Sequence, residues 1–108
     1  MSTYSSQAYQ GHGKDLAMAL GFYFAPASFT QARYDDAIKR LEAAGAGAPA
    51  GRIYHAALEA DGLIQVFDIW DSKESFEAFG KTLLPIMAEV GADPGEPQVM
   101  PVHNIIKG

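Results

Sequence analysis

Two side chains that can exchange protons, an imidazole and a carboxylate, lie in neighbouring β-rich segments of this chain. His55 and Asp68 belong to two such segments that are separated only by Asp61-Gly62. Asp-Gly at this place is typical of a two-residue hairpin turn, because both central residues of a type I′ turn need a positive φ. A two-residue turn fixes the register of the hairpin. His55 is therefore predicted to lie directly opposite Asp68.

This pairing predicts a particular chemistry. A carboxylate beside an imidazole fixes the tautomer and orientation of the ring, which a general base or a proton shuttle requires. The same register places Ile53 opposite Trp70, so that the indole shares a face with His55 and Asp68. We interpret His55 as a base, Asp68 as the group that orients it, and Trp70 as a wall of a ligand pocket. The alternatives are a self-satisfied polar pair in a structural core, and an indole that only packs in the core or at a dimer interface.

The alternation of side chains divides the hairpin into two faces. One face is the more uniformly apolar, and we assign it to the helices. The face with His55 is then expected to line the opposite side of the sheet, the interior of a barrel. The predicted barrel face holds Ile53, His55, Ala57, Glu59, Ile64, Val66, Asp68 and Trp70, and the predicted helix face holds Tyr54, Ala56, Leu58, Ala60, Leu63, Gln65, Phe67 and Ile69.

Two further candidates come from the outer strands. Tyr23 lies on the small-residue face of the first predicted strand and is expected to reach the same cavity. His103 and Asn104 are neighbours on the last predicted strand, so only one of them faces the interior, and we favour His103 as a ligand contact. The alternative for Tyr23 and for His103 is a polar group at the edge or on the surface of the sheet. The chain has three histidines, none with the spacing of helical metal ligands, so we predict no metal site and no cofactor.

The remaining elements follow from periodicity, caps and turns. Pro85 is tolerated only in a first helical turn, so we expect two helices rather than one between Ser72 and Gly91. We predict strands over 16–25, 52–60, 63–70 and 98–106, a helix capped by Thr30 and running to about residue 44, a helix capped by Ser72 over 73–79, and a short helix that starts at Thr82.

This order of elements predicts the fold class. Strand, helix, strand, strand, helix, strand is the split βαβ arrangement of ferredoxin-like α+β folds, with a four-stranded antiparallel sheet and its helices on one face. We predict a flexible tail over 1–15 and one such domain over 16–108. Because no element is left to cover the second face of the sheet, a second copy of the chain is expected to do so, as a homodimer.

Composition excludes several classes of partner. With 108 residues and 48% apolar residues, the chain has the size and core material of one globular domain. Its net charge of −5, with no basic cluster, argues against binding to nucleic acid or to an anionic membrane. The absence of cysteine, of a secretory signal and of an apolar run long enough to span a bilayer predicts a cytoplasmic protein.

Four segments of the sequence resemble the dimeric α+β barrel superfamily, which includes the antibiotic-biosynthesis monooxygenase-like domains. The most specific segment is a strand that ends in Trp, followed by an acidic residue and a Ser-capped helix with buried aromatics. The resemblance extends over about residues 16–106 and is strongest to small bacterial members without an established function. It rests on residues 69–79, Thr30 to Ala37, Ile53-Tyr54-His55-Ala56 and Pro101-Val102-His103-Asn104.

The resemblance implies a homodimer with a cleft inside the barrel or between sheet and helices. Members of the superfamily oxidise polyketide-like phenols without metal or flavin, degrade haem, or act as isomerases or dehydratases. The haem-degrading branch typically has a His on the second helical segment and an Asn on the first strand, and both are absent from residues 72–90 and 16–25. The implied function is a cofactor-independent monooxygenase-like enzyme for a small aromatic molecule. The alternative is a non-catalytic dimer that binds a small apolar ligand.

Overall fold

Six elements form a four-stranded antiparallel sheet with two helices packed on one face. The computed structural model describes residues 19–108, so the predicted tail over 1–15 and the start of the first predicted strand lie outside the described residues. The predicted ferredoxin-like α+β class is confirmed, with the strand order β2-β3-β1-β4. The elements are β1 (Leu20–Phe24), α1 (Gln31–Ala43), β2 (Arg52–Ala60), β3 (Leu63–Trp70), α2 (Lys73–Glu89) and β4 (Gln98–Pro101).

Both helices begin at the predicted capping residues. The Thr30 hydroxyl accepts a hydrogen bond from the Arg33 backbone N–H at 3.2 Å, and the Ser72 hydroxyl accepts one from the Ser75 N–H at 3.1 Å. Each bond satisfies one of the backbone donors that a helix leaves free in its first turn. The caps therefore fix where α1 and α2 leave the sheet.

The second half of the chain contains one long helix, so the prediction of two helices was wrong. Helix α2 continues through Pro85 to Glu89. A proline inside a helix costs about 3 kcal/mol. The same continuous face buries Phe79, Ile86 and Met87 to 8% exposure or less, and each such side chain contributes roughly 1.5–3 kcal/mol. Burial therefore outweighs the lost hydrogen bond.

The hairpin of β2 and β3 has the predicted turn and, over most of its length, the predicted register. Asp61 and Gly62 both have positive φ, 56° and 82°, and His55 pairs with Asp68. The register shifts by one residue between Arg52 and Tyr54. Ile53 is thus the extra residue of a β-bulge, and Arg52, not Ile53, lies opposite Trp70.

The assignment of the two sheet faces was also wrong. The face that carries Asp68 and Trp70 packs against the helices, where it contributes to the core with Phe22 and Phe24 of β1. Trp70 is 0% exposed and Asp68 5%. Burial on this side removes the large indole from water, and Asp68 is tolerated there because both of its oxygens accept hydrogen bonds.

The other face of the sheet is left open. Tyr54 and Leu58 are each 53% exposed there, and Met100 is 49% exposed. Strand β4 ends at Pro101, earlier than the predicted residue 106, and the following segment borders a groove on this face. Between residues 19 and 108, no helix has the length and apolar character needed to cross a membrane.

Candidate functional site

A cleft opens between the two helices and the sheet. Its free volume is about 70 Å³, and about 600 Å³ when the space open to solvent at its mouth is counted. Aromatic and aliphatic side chains form nearly all of its wall, and four polar side chains stand among them. The wall is formed by Phe24, Pro26, Phe29, Tyr34, Ala37, Ile38, Leu41, Arg52, His55, Val66, Asp68, Phe76, Phe79, Leu83, Met87 and Pro94.

A chain of hydrogen bonds runs from the wall of this cleft into the core. The Tyr34 hydroxyl lies 2.7 Å from His55 Nε2, and His55 Nδ1 lies 2.6 Å from Asp68 Oδ1. The second carboxylate oxygen, Oδ2, accepts a hydrogen bond from the Trp70 indole N–H at 3.2 Å. Three elements thus meet at one site: α1 supplies Tyr34, β2 supplies His55, and β3 supplies Asp68 and Trp70.

The carboxylate assigns the tautomer of the imidazole. An ionised carboxylate only accepts hydrogen bonds, so His55 Nδ1 carries the proton that is shared with Asp68. In the neutral ring, Nε2 then has its lone pair free and accepts the Tyr34 hydroxyl proton. The arrangement can move a proton from Tyr34 to Nε2, because the resulting imidazolium would lie against the Asp68 carboxylate.

Tyr34 keeps its proton strongly in this environment. Burial raises the pKa of the Tyr34 phenol above its ordinary value, Arg52 opposes that shift, and Asp68 and Asp35 add to it. The ring packs edge-on against Phe29, with their centroids 5.6 Å apart. At neutral pH Tyr34 is therefore a hydrogen-bond donor to His55 rather than a phenolate.

Arg52 is the fourth polar residue of the cleft. Its guanidinium lies 5.9 Å from the centroid of the Phe79 ring and donates a hydrogen bond from Nη2 to the Gly47 carbonyl oxygen at 3.1 Å. Cations over an aromatic face are attracted by the ring quadrupole, whose faces are partially negative. The guanidinium is thereby held at the cleft while part of it stays accessible.

Three of the five predicted site residues meet, but Trp70 does so in a different role. It is fully buried, packs edge-on against Phe76, and does not line the cleft. The prediction that Trp70 contacts a ligand is thus corrected. The indole N–H instead donates a hydrogen bond to Asp68 Oδ2 from the buried side of the carboxylate. Its size and lack of exposure explain the change, since an indole of zero exposure has no surface to offer a ligand.

Tyr23 and His103 lie on the open face of the sheet, away from the cleft. The Tyr23 hydroxyl donates to Gln65 Oε1 at 2.6 Å, and His103 is an exposed residue that borders the groove beside Tyr54. The expectation that they share a cavity with His55 is wrong, since neither lines the cleft. Tyr23 pairs with Phe67 whereas its neighbour Phe22 pairs with Asp68, so Tyr23 points to the opposite face of the sheet. The alternation assumed for His103 and Asn104 fails too, since β4 ends before them.

Two residues of the site, Tyr34 and Arg52, were not predicted from the sequence. Tyr34 belongs to the apolar stripe of α1, and a phenol on a buried stripe needs a polar partner for its hydroxyl. That requirement is a signal the sequence does contain. Arg52 faces the cleft only because of the bulge at Ile53, for which the sequence gives no comparable signal.

No metal-binding group forms within residues 19–108. The structure contains no set of three or more His, Cys, Asp or Glu side chains placed to hold an ion in that part of the chain. The polar side chains that line the cleft are Tyr34, Arg52, His55 and Asp68; both ring nitrogens of His55 are already hydrogen-bonded, so the phenol and the guanidinium are the groups best placed to meet a ligand directly.

Comparison with known proteins gives a result for the fold. No family model and no curated protein matches the sequence. SnoaB, a cofactor-independent oxygenase from Streptomyces nogalater, superimposes with a TM-score of 0.55 at 14% identity, over 83% of this chain and 96% of that chain. A protein from Chloroflexus aurantiacus J-10-fl with a proposed assignment as antibiotic biosynthesis monooxygenase gives 0.53 at 16% identity, over 82% and 95%. The structural-genomics protein YJCS gives 0.54 at 14%, over 78% and 99%.

These matches define the class of fold. The chain has the α+β fold of antibiotic-biosynthesis monooxygenase-like proteins, as the resemblance of its sequence implied. The match to SnoaB covers nearly the whole length of that protein, so the likeness concerns a complete domain. At such low identity it is a likeness of fold, and the chemistry has to be argued from the cleft itself.

Proposed function

We propose that this protein is a cofactor-independent, monooxygenase-like enzyme that acts on a small aromatic molecule bound in the cleft. The observation that carries the proposal is the Tyr34–His55–Asp68 chain, with distances of 2.7 and 2.6 Å, at an apolar cleft. A hydrogen-bonded base with its own orienting carboxylate is the arrangement that general-base catalysis needs. The shared fold with a cofactor-independent oxygenase supports the same class.

The cleft favours a flat, apolar substrate. Phe24, Phe29, Phe76 and Phe79 present aromatic surfaces to it, and such surfaces bind rings by offset or edge-on contacts. The enclosed free volume of the cleft is only about 70 Å³, whereas its volume is about 600 Å³ when the space open to solvent at its mouth is included. A substrate of one ring would occupy the inner part, and a larger one would extend through the mouth.

In the proposed reaction, Tyr34 and His55 together remove a proton from a phenolic substrate. The substrate hydroxyl gives its proton to the Tyr34 oxygen as Tyr34 passes its own proton to His55 Nε2. Asp68 stabilises the imidazolium that results. The phenolate is then electron-rich enough to reduce O₂: one oxygen atom enters the ring, the other leaves as water, and the phenol becomes a quinone.

We also propose that the protein works as a homodimer through the open face of the sheet. Its exposed apolar residues, among them Tyr54, Leu58 and Met100, form the kind of surface that a monomer rarely leaves uncovered. A second copy is the occupant that the fold suggests, because the same surface on both chains can pair about a twofold axis.

A binding protein without turnover is the second candidate. It is favoured by the fact that His55 Nε2 is already engaged by Tyr34, so that no ring nitrogen is free to meet a ligand directly. The two candidates make different demands on Tyr34. An enzyme needs its hydroxyl to exchange protons, whereas a binding protein needs only the shape and polarity of the ring.

The test is oxygen consumption with a panel of naphthols and hydroquinones. We expect the wild type to consume oxygen with at least one of them, His55→Ala to abolish turnover without unfolding the protein, and Tyr34→Phe to reduce turnover by about 100-fold, a typical contribution of acid–base catalysis. Lys81→Ala, an exposed change on α2 outside both the cleft and the groove of the open face, is the control and should keep full activity. Unchanged activity in His55→Ala would remove the proposed base, and binding of the panel without oxygen consumption would favour the second candidate.

A further inference from the structure

The β-bulge at Ile53 decides which side of the sheet receives Arg52. In a regular strand, residues 53 and 55 share one face and residue 52 lies on the other. Here the extra residue reverses this order, so that Arg52 pairs with Trp70 and His55 with Asp68 on the cleft side. Bulges interrupt the ladder of hydrogen bonds and often re-aim a side chain next to a functional site. The consequence of this bulge is a guanidinium at the cleft.

The backbone directly before Arg52 is constrained by close contacts at Gly51. Gly51 has a φ of 91°, and a Cβ there would lie 2.4 Å from the Ser75 side chain. Its carbonyl accepts the Asp71 N–H at 2.8 Å. This close contact ties the start of β2 to the start of α2, directly before Arg52. The guanidinium is thus attached to a backbone position with little freedom.

No carboxylate among residues 19–108 forms an ion pair with Arg52. The ion pairs within residues 19–108 join Arg40 to Asp36 and Glu89, His55 to Asp68, and Lys73 to Glu77, and none includes Arg52. Its partners there are a carbonyl oxygen and a phenyl ring. Because guanidinium has five N–H donors in a planar fork, most of its hydrogen-bonding capacity is left for a ligand.

Asp68, which lines the cleft, does not form an ion pair with Arg52 in the part of the chain that the structure describes. Both oxygens of Asp68 are used, one by His55 and one by Trp70. The positive charge of Arg52 acts on the Tyr34 hydroxyl, the group at which the proposed proton transfer begins, and lowers its pKa against the larger effect of burial. A negative ligand oxygen bound to the guanidinium would share the cleft with the Tyr34–His55 pair.

We infer that Arg52 makes the cleft selective for aromatic anions, in which a carboxylate or phenolate oxygen binds the guanidinium and the ring occupies the apolar wall. This inference rests on the cleft of the proposed function and names the class of ligand that it takes. Arg52 is then the residue that determines specificity, and the same contact would stabilise the phenolate formed in the proposed reaction.

The experiment compares benzoate with its neutral isostere benzamide. Trp70 is the single tryptophan of the chain, and its indole N–H bonds to Asp68, which lines the cleft, so its N–H signal in NMR titrations reports on the cleft through Asp68. We expect wild-type protein to prefer benzoate by about tenfold, the lower end for a charge-assisted hydrogen bond. Arg52→Gln should lose that preference and keep the affinity for benzamide, and Arg52→Lys should retain part of it. Lys81→Gln removes one exposed positive charge outside the cleft and should change neither affinity.

Two further titrations test which anions are preferred and which residue causes the preference. The same titrations with a nitrophenol below and above its pKa show whether a phenolate is preferred in the same way as a carboxylate. In His55→Ala the preference for benzoate should persist, because it comes from Arg52. The inference is overturned if wild type does not prefer benzoate to benzamide, if Arg52→Gln weakens both equally, or if the preference disappears in His55→Ala alone. Because these experiments measure binding, they test the role of Arg52 independently of the oxygen-consumption assay that tests the proposed function.

Discussion

Replacing Asp68 by alanine removes the acceptor shared by two donors, and the structure allows the cost to be worked out. Leaving a buried donor unpaired costs roughly 1–3 kcal/mol. The Trp70 indole N–H is in a residue of 0% exposure, so that no water replaces the lost acceptor there. The His55 side chain is 22% exposed, so water can solvate its N–H. The cavity adds about 1 kcal/mol, and the relief of a buried charge offsets part of the total.

We therefore expect Asp68→Ala to lower the free energy of unfolding by about 2 kcal/mol. Urea unfolding measures this, at one protein concentration for all variants, because an associating protein gains stability with concentration. Asp35→Ala, an exposed change on α1, is the control and should stay within about 0.5 kcal/mol of wild type.

The matched variant Asp68→Asn separates stability from the state of the imidazole. His55 and Trp70 bond to two different oxygens of Asp68, and an amide has only one oxygen, so it cannot reproduce both bonds. If its oxygen keeps the Trp70 N–H, its NH₂ faces His55 Nδ1, and the ring proton must move to Nε2. Nitrogen NMR of His55 should thus show Nδ1–H in wild type and Nε2–H in Asp68→Asn. An Asp68→Ala variant as stable as the control, or an unchanged tautomer in Asp68→Asn, would refute the reasoning.

Three further predictions concern the backbone, the phenol and the open face. Gly51→Ala should lower the free energy of unfolding in urea by about 2–4 kcal/mol, because the positive φ of this residue adds to a clash of the new Cβ with Ser75 of α2. The control Gly62→Ala has a similar φ but no atom near the new Cβ, so it should lower the free energy of unfolding by only about 1 kcal/mol. Burial raises the pKa of the Tyr34 phenol above its ordinary 10.0, so at high pH the folded state keeps a proton that the unfolded state loses. The free energy of unfolding of the wild type should therefore fall as the pH rises above 10.0, and that of Tyr34→Phe should fall less. Sedimentation or size exclusion should show that Tyr54→Arg weakens the dimer and that Leu84→Arg, at a similarly exposed position on α2, does not; a monomeric wild type would contradict this.

Local sequence rules predicted the parts of the fold that local geometry controls. The Asp61-Gly62 turn fixed the pairing of His55 with Asp68, and Thr30 and Ser72 capped their helices as expected. Each of these features depends on a few neighbouring residues. The single α2 does not, because the burial that carries the helix through Pro85 comes from the sheet on which it packs.

The sequence alone determined the ferredoxin-like order of strands and helices, the hairpin register from the turn back to His55, and the His55–Asp68 pair at the centre of the site. Only the tertiary structure decided which face of the hairpin meets the helices, because both faces are apolar enough to be buried and strand periodicity distinguishes the faces without saying what covers each. Only the tertiary structure also decided two other features, the bulge that turns Arg52 to the cleft and the approach of Tyr34 from α1. Both depend on contacts between residues far apart in the chain, so His55 and Asp68 could be paired from sequence while the cleft around them could not.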